Sequence, residues 1–132
     1  MTCPTKFTWP PRPTWDEYFE NIAQVVATRS TCNRQHVGCV VVNKVDHRVL
    51  ATSYNGAPAG AAHCGVDESL LPEEHCQNAL HAEQNLLGYA ARAGVSIANA
   101  DWYLYPIGPC DRCLWLIKAT NPNRIIFPTN AV

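Results

Sequence analysis

Apolar residues at Trp15, Tyr18, Phe19, Ile22, Val25 and Val26 recur with a helical period, which predicts an amphipathic helix running to about Arg29. Thr14 stands where an N-cap is expected, and Glu17, three residues later, completes a capping box. Ahead of it, Pro4, Pro10, Pro11 and Pro13 predict an extended arm over residues 1–14, with Phe7 and Trp9 available to pack it. After a polar loop from Ser30 to Gln35 the pattern changes. Val37 to Asn43 is an almost unbroken apolar run, the mark of a strand buried on both faces. Val49 to Tyr54 predicts its hairpin partner across Lys44–Arg48. Asn55 to Gly60 is rich in turn residues, and the irregular stretch continues to about Glu74. Connections of that length in a compact domain are usually functional or held by a metal.

The helical period returns from about Asn78 to Gly94, with Leu80, Leu86, Leu87, Ala90 and Ala91 on the predicted buried face and Gly94 as the cap. Trp102 to Tyr105 predicts a third strand. Pro109 stands where the first residue of a helix is expected, and Leu114, Leu116 and Ile117 carry that helix to about Thr120. Asn121-Pro122-Asn123 stops it, and Arg124 to Phe127 predicts a fourth strand. The order is α-β-β-α-β-α-β. Its last three elements form a β-α-β unit, for which parallel pairing is expected.

At 132 residues, with 47% apolar and 16% charged positions, the chain fits one globular domain over residues 1–132. A net charge of −1 with no basic stripe argues against a stable nucleic-acid partner. No apolar run reaches the length of a membrane span and residues 1–12 carry no signal-peptide core, so the expectation is a cytoplasmic protein with no membrane partner. In a reducing compartment the seven cysteines, an odd number, read better as metal ligands than as a disulfide scaffold.

The candidate chemistry lies in His81-Ala82-Glu83 and Pro109-Cys110-Asp111-Arg112-Cys113. His81, Cys110 and Cys113 offer one nitrogen and two thiolates to a zinc ion. Three protein ligands leave a fourth position for water, as in a catalytic zinc site. Cys110 and Cys113 fall three apart at a predicted helix start, on one face, where the helix dipole favours thiolates. Glu83, two residues from His81, diverges from it and can serve as acid and base in turn. This H-x-E and P-C-x-x-C pattern, with about thirty residues between its halves, is that of zinc deaminases acting on cytosine or adenine. The expected reaction is hydrolytic deamination, in which zinc lowers the pKa of water to about 7 and Glu83 moves the protons.

Further pieces extend the pattern: Arg29-Ser30-Thr31-Cys32-Asn33-Arg34 leading to Val37-Gly38, Tyr54-Asn55-Gly56-Ala57-Pro58-Ala59-Gly60, His63-Cys64, and His75-Cys76 ahead of His81-Ala82-Glu83-Gln84-Asn85. On these residues the chain, from about 15 to 127, resembles the cytidine/deoxycytidylate deaminase superfamily, and within it the deoxycytidylate (dCMP) deaminases. The resemblance implies a three-layer α-β-α fold around a central mixed sheet of four to five strands. It also implies conversion of dCMP to dUMP for thymidylate synthesis, in a bacterial or phage-encoded enzyme working in the cytoplasm. Homo-oligomers, hexamers or dimers, activated by dCTP and inhibited by dTTP are the implied form. Asn55 matches a sugar-binding position. Ser30, Arg34 and Arg112 are candidates for the substrate phosphate. Tyr54, Gly56 and Gly60 mark the loop where an effector would bind. A second, structural zinc is implied at Cys32, Cys64, His75 and Cys76. Cys39, inside a strand, reads as a small buried side chain.

Other readings share parts of the pattern. A tRNA-adenosine deaminase would need a basic RNA-facing surface, and a free cytidine deaminase would need no phosphate site. A riboflavin-pathway deaminase usually spaces its two cysteines much farther apart. A non-enzymatic zinc-binding module would have no open metal position and no use for Glu83.

Overall fold

The computed structural model of the chain describes residues 8–32, 34–58, 60–61 and 79–129. Helix α1 spans Trp15–Ala27, with Thr14 as its N-cap. The Glu17 amide donates to Thr14 Oγ1 at 3.1 Å and the Thr14 amide to Glu17 Oε1 at 3.1 Å, the reciprocal box the spacing predicts. The helix stops two residues short of Arg29. The Thr28 and Arg29 amides instead close i→i−3 turns onto Val25 and Val26.

Strand β1, Gly38–Val42, is buried at every position because it lies inside the sheet. It pairs antiparallel with β2, Val49–Tyr54, on one side and with β3, Asp101–Tyr105, on the other. Strand β4, Arg124–Ile126, pairs parallel with β3, with Asp101 opposite Arg124, as the β-α-β reading requires. The four strands lie in the order β2-β1-β3-β4. The two-residue period of the central strands then divides the core. Val40, Val42 and Tyr103 pack under Phe19 and Ala23 of α1. Cys39, Val41, Trp102 and Leu104 face the other way, onto Leu86, Ala90 and Ile117. This is the three-layer α-β-α arrangement with a mixed sheet.

Period alone misjudges the inner face of α1. Trp15, Tyr18 and Val25 are exposed, and the buried line runs through Phe19, Ala23 and Ala27. Small residues are needed there because the helix backbone rides on Gly38. A Cβ at Gly38 would collide with the Ala23 carbonyl oxygen and stand 2.7 Å from the Ala27 nitrogen. The other end of α1 is tied across the sheet. Arg124 Nη2 donates to Asp16 Oδ1 at 2.9 Å, and the Tyr103 hydroxyl donates to the same oxygen at 2.6 Å.

Helix α2 covers Ala82–Ala93, four residues later than its predicted start at Asn78. The reason is a bridge: the Gly56 amide donates to the Leu80 carbonyl at 3.0 Å and the Leu80 amide to the Gly56 carbonyl at 2.9 Å. That pairing draws Leu80 out of the helix and leaves it partly exposed. Ala91 also faces solvent, while Leu86 and Ala90 are buried. Gly94 caps the helix at φ 69°, in the left-handed region expected of it. Helix α3 is Asp111–Lys118, and its N-cap is Cys110, so Pro109 sits outside the helix and not at its first position. No helix among the described residues is long and apolar enough to cross a membrane.

Candidate active site

Two helix starts meet at one end of the sheet. His81 is the N-cap of α2 and Cys110 the N-cap of α3, both in extended backbone conformation. Strand β3 ends at Tyr105, a cis Tyr105–Pro106 bond follows, and residues 107–109 bring the chain round to Cys110. His81 Nδ1 then lies 3.2 Å from Cys113 Sγ and 3.6 Å from Cys110 Sγ. The three donor atoms are all within 4.8 Å of one another.

The donor set fits zinc. With Zn–N near 2.0 Å and Zn–S near 2.3 Å, tetrahedral geometry separates a nitrogen from a sulfur by about 3.5 Å. Electrostatics point the same way. Burial, then the charge of Glu83 and the neighbouring Cys110, hold the Cys113 thiol far above the usual range. Left to itself the Cys113 sulfur stays protonated; a divalent cation beside it would supply the charge that turns it into a ligand. The dipole of α3, which begins at this point, adds to it.

Glu83 is buried, belongs to the first turn of α2 and lies beside Cys113 without joining the three-donor cluster. Beneath both is the fully buried Cys39, whose thiol is pushed up by burial and then by Glu83 and Cys113. It is a neutral packing group, as its place in a strand suggests. The cluster opens into a cleft of about 1160 Å³. Its walls include Arg34, Asn55, His81, Glu83, Gln84 and Arg112.

The other predicted residues divide. Asn55 reaches the cleft and is buried, and its side-chain amide is engaged with backbone: Nδ2 donates to the Gln35 carbonyl at 2.7 Å and Oδ1 accepts from the Val37 amide at 2.8 Å. Ser30 is not among the cleft walls. Its hydroxyl donates to the Asn55 carbonyl at 2.8 Å and accepts from the Cys32 amide at 3.2 Å, so its one proton is aimed at backbone and not at a substrate phosphate. Arg34 and Arg112 are exposed on the cleft. Tyr54, Gly56 and Gly60 lie outside the walls. Gly56 is packed so closely that a Cβ would run into Thr31, and Gly60 has a left-handed φ of 87°. Cys32 is buried, carries a free thiol and lines the cleft. Cys64, His75 and Cys76, the remaining members of the predicted second zinc site, lie outside the described residues.

Three residues that pattern reading gave no role support the site. Gln84 Oε1 accepts the His81 amide at 2.8 Å. The Ser53 hydroxyl donates to the Ala82 carbonyl. Asn85 Nδ2 donates to the carbonyls of Tyr54 at 3.0 Å and Gly56 at 3.2 Å, fastening α2 to the loop after β2. Gln84 has a signal in the sequence, since glutamine at N3 is a capping-box partner. It is masked because the cap is histidine and not serine or threonine. Ser53 and Asn85 bond across elements, and one-dimensional spacing does not report that.

Comparison with known proteins bears on this geometry. A family profile described as the cytidine and deoxycytidylate deaminase zinc-binding region matches residues 13–129. The chain is 42% identical over 129 residues to the deoxycytidylate deaminase of Mycobacterium phage D29, covering 89% of this chain and 96% of that one. It is 40% identical over 131 residues to the deoxycytidylate deaminase of Schizosaccharomyces pombe, covering 90% of this chain but 38% of that longer protein. The crystal structure of the dCMP deaminase of cyanophage S-TIM5 in complex with dCMP and dUMP is similar at a TM-score of 0.76 and 27% identity. It covers 88% of this chain and 82% of that one.

Proposed function

The chain belongs to the cytidine and deoxycytidylate deaminase family, and from that premise we propose that it is a zinc-dependent dCMP deaminase, hydrolysing dCMP to dUMP and ammonia. The observation that carries the reading is the meeting of His81, Cys110 and Cys113 around one point, with buried Glu83 beside them at the head of a cleft. The relatives named deoxycytidylate deaminase and the similarity to the S-TIM5 enzyme bound to dCMP and dUMP support the choice of substrate.

His81 Nδ1 and the sulfurs of Cys110 and Cys113 hold one zinc ion. When bound, that ion activates water for attack on the ring carbon bearing the amino group. Glu83 takes up the two protons of that water in turn, giving the first to the ring nitrogen and the second to the leaving amine, a double role that its place next to the ligands allows. Burial of Glu83 keeps bulk water from competing for those protons. Arg34 and Arg112, on the cleft walls, bind the phosphate. Asn55 holds the sugar hydroxyl: its two backbone bonds leave it one N–H and one oxygen lone pair. Ser30 acts through Asn55, whose carbonyl it anchors.

The same reading takes residues 1–132 as one deaminase domain with residues 1–14 as an arm. A second, structural zinc sits at Cys32, Cys64, His75 and Cys76. The loop holding Tyr54, Gly56 and Gly60 binds dCTP as activator and dTTP as inhibitor. Exposed Trp115 and Leu116 on α3 pack subunits of a dimer or hexamer. The enzyme works in the cytoplasm and supplies dUMP for thymidylate synthesis.

An ammonia-release assay on dCMP, dCTP, CMP, deoxycytidine and an adenosine-containing tRNA stem-loop tests the reading. Turnover of dCMP well above the other four is expected. Preference for deoxycytidine or for the stem-loop would overturn it. Repeating the assay with dCTP and dTTP tests regulation, metal analysis distinguishes one zinc per chain from two, and light scattering reports the assembly.

A further inference from the structure

Two side chains outside the ligand set converge on the backbone that carries the metal-binding histidine. Gln84 reaches back one turn, and its Oε1 accepts the His81 amide at 2.8 Å. The Ser53 hydroxyl comes across from β2 and donates to the Ala82 carbonyl. One fixes the chain on the N-terminal side of His81 and the other just beyond it, before Glu83.

The His81 imidazole points its Nδ1 at two sulfurs. Its backbone stands at φ −67° and ψ 156°, at the point where a small rotation would swing Nδ1 away from Cys113. Gln84, at N3, supplies the capping-box bond to that backbone. Ser53 anchors the other side to the sheet, a rigid frame that a helix terminus lacks. The Ala82 carbonyl is at the start of α2, so helical pairing leaves it a lone pair for the hydroxyl.

We propose that Gln84 and Ser53 are positioning residues that set zinc affinity by holding the His81–Ala82 backbone so that Nδ1 faces the two thiolates. The inference rests on the zinc site proposed above and adds to it two residues that never touch the metal. Partners that orient a metal ligand usually contribute a factor of about 10–100 in affinity.

Four variants test it, with zinc affinity read by competition against a chromophoric chelator. Gln84→Met keeps the length and helix propensity but loses the acceptor, and Gln84→Glu keeps an acceptor oxygen. Ser53→Ala loses the donor, and Ser53→Thr keeps it without adding charge. The expected result is zinc binding weakened about 10–100-fold in Gln84→Met and Ser53→Ala, with recovery in Gln84→Glu and Ser53→Thr. Thermal melts of the zinc-free proteins run alongside. A purely structural role would lower those melting temperatures and leave zinc affinity as it was, and that result overturns the proposal. Equal zinc affinity in wild type, Gln84→Met and Ser53→Ala also overturns it, and leaves the deaminase reading standing if wild type turns over dCMP. A wild-type chain that takes up no zinc overturns both. The Ser53 pair decides the matter should Gln84→Met fail to fold.

Discussion

Glu83 and Glu20 are two carboxylates that the fold withdraws from water in different ways. Glu83 lies against Cys113 and the cleft, in reach of a reacting group but outside the three-donor cluster. Glu83→Gln should therefore keep its zinc, by metal analysis, and lose about 10²–10⁴-fold in turnover of dCMP; a near-normal rate would remove Glu83 from the chemistry. Glu20 has both oxygens buried without a hydrogen-bond partner. Burial, and then the charge of Asp16 one helical turn away, push its carboxyl up from 4.5 to about 7. The folded chain thus holds this proton where the unfolded chain has lost it. The associated stability is present below pH 4.5 and is lost as pH rises through about 7. Glu20→Gln removes that loss. Melting temperatures of wild type and variant should be similar at pH 4.5 and separate by pH 8, with the variant higher. Asp16 works in the opposite sense. Arg124 and Tyr103 hold its carboxyl below the usual range, so its contribution is present above the ordinary value of 3.8 and disappears toward acid.

Among the elements, the contact between α1 and β1 has the least room. Gly38 has the Ala23 carbonyl and the Ala27 amide directly over it. Neither is a flexible side chain that can turn aside. Gly38→Ala should cost about 1–3 kcal/mol by overpacking, read as a lower denaturant midpoint with an unchanged slope. The elements also show where spacing is a sufficient guide. The capping box of α1 was readable because both partners lie within four residues of each other. The start of α2 was not, because Leu80 is drawn away by Gly56, 24 positions earlier in the chain. Pro109 misled for a related reason. Proline suits a first helical position, but here Cys110, a proposed ligand, takes the cap and the helix begins after it.

For the whole molecule, the proposed ligand set joins two helices that follow different strands, so a zinc ion bound there would be a cross-link as well as a reagent. Removing zinc with a chelator should abolish turnover and lower the melting temperature, and added zinc should restore both. A melting temperature indifferent to the chelator would mean that α2 and α3 hold their positions without the ion. The three-layer architecture explains how the site can be built this way. The central strands alternate their side chains between α1 on one face and α2 with α3 on the other. Both helices that carry the proposed ligands therefore lie on the same face.

The sequence by itself determined the strands and helices, the parallel final pair, and the residue types of the metal cluster. Those features follow from periods, caps and motif spacings that act over a few positions. Tertiary structure decided which side chains remain available. It spent the Ser30 proton on the Asn55 carbonyl and bound both ends of the Asn55 amide to backbone. It also brought Gln84 and Ser53 to the peptide units around His81. A hydrogen bond depends on distance and direction in space, and residues 29 positions apart, such as Ser53 and Ala82, carry no mark of their partnership until the chain has folded.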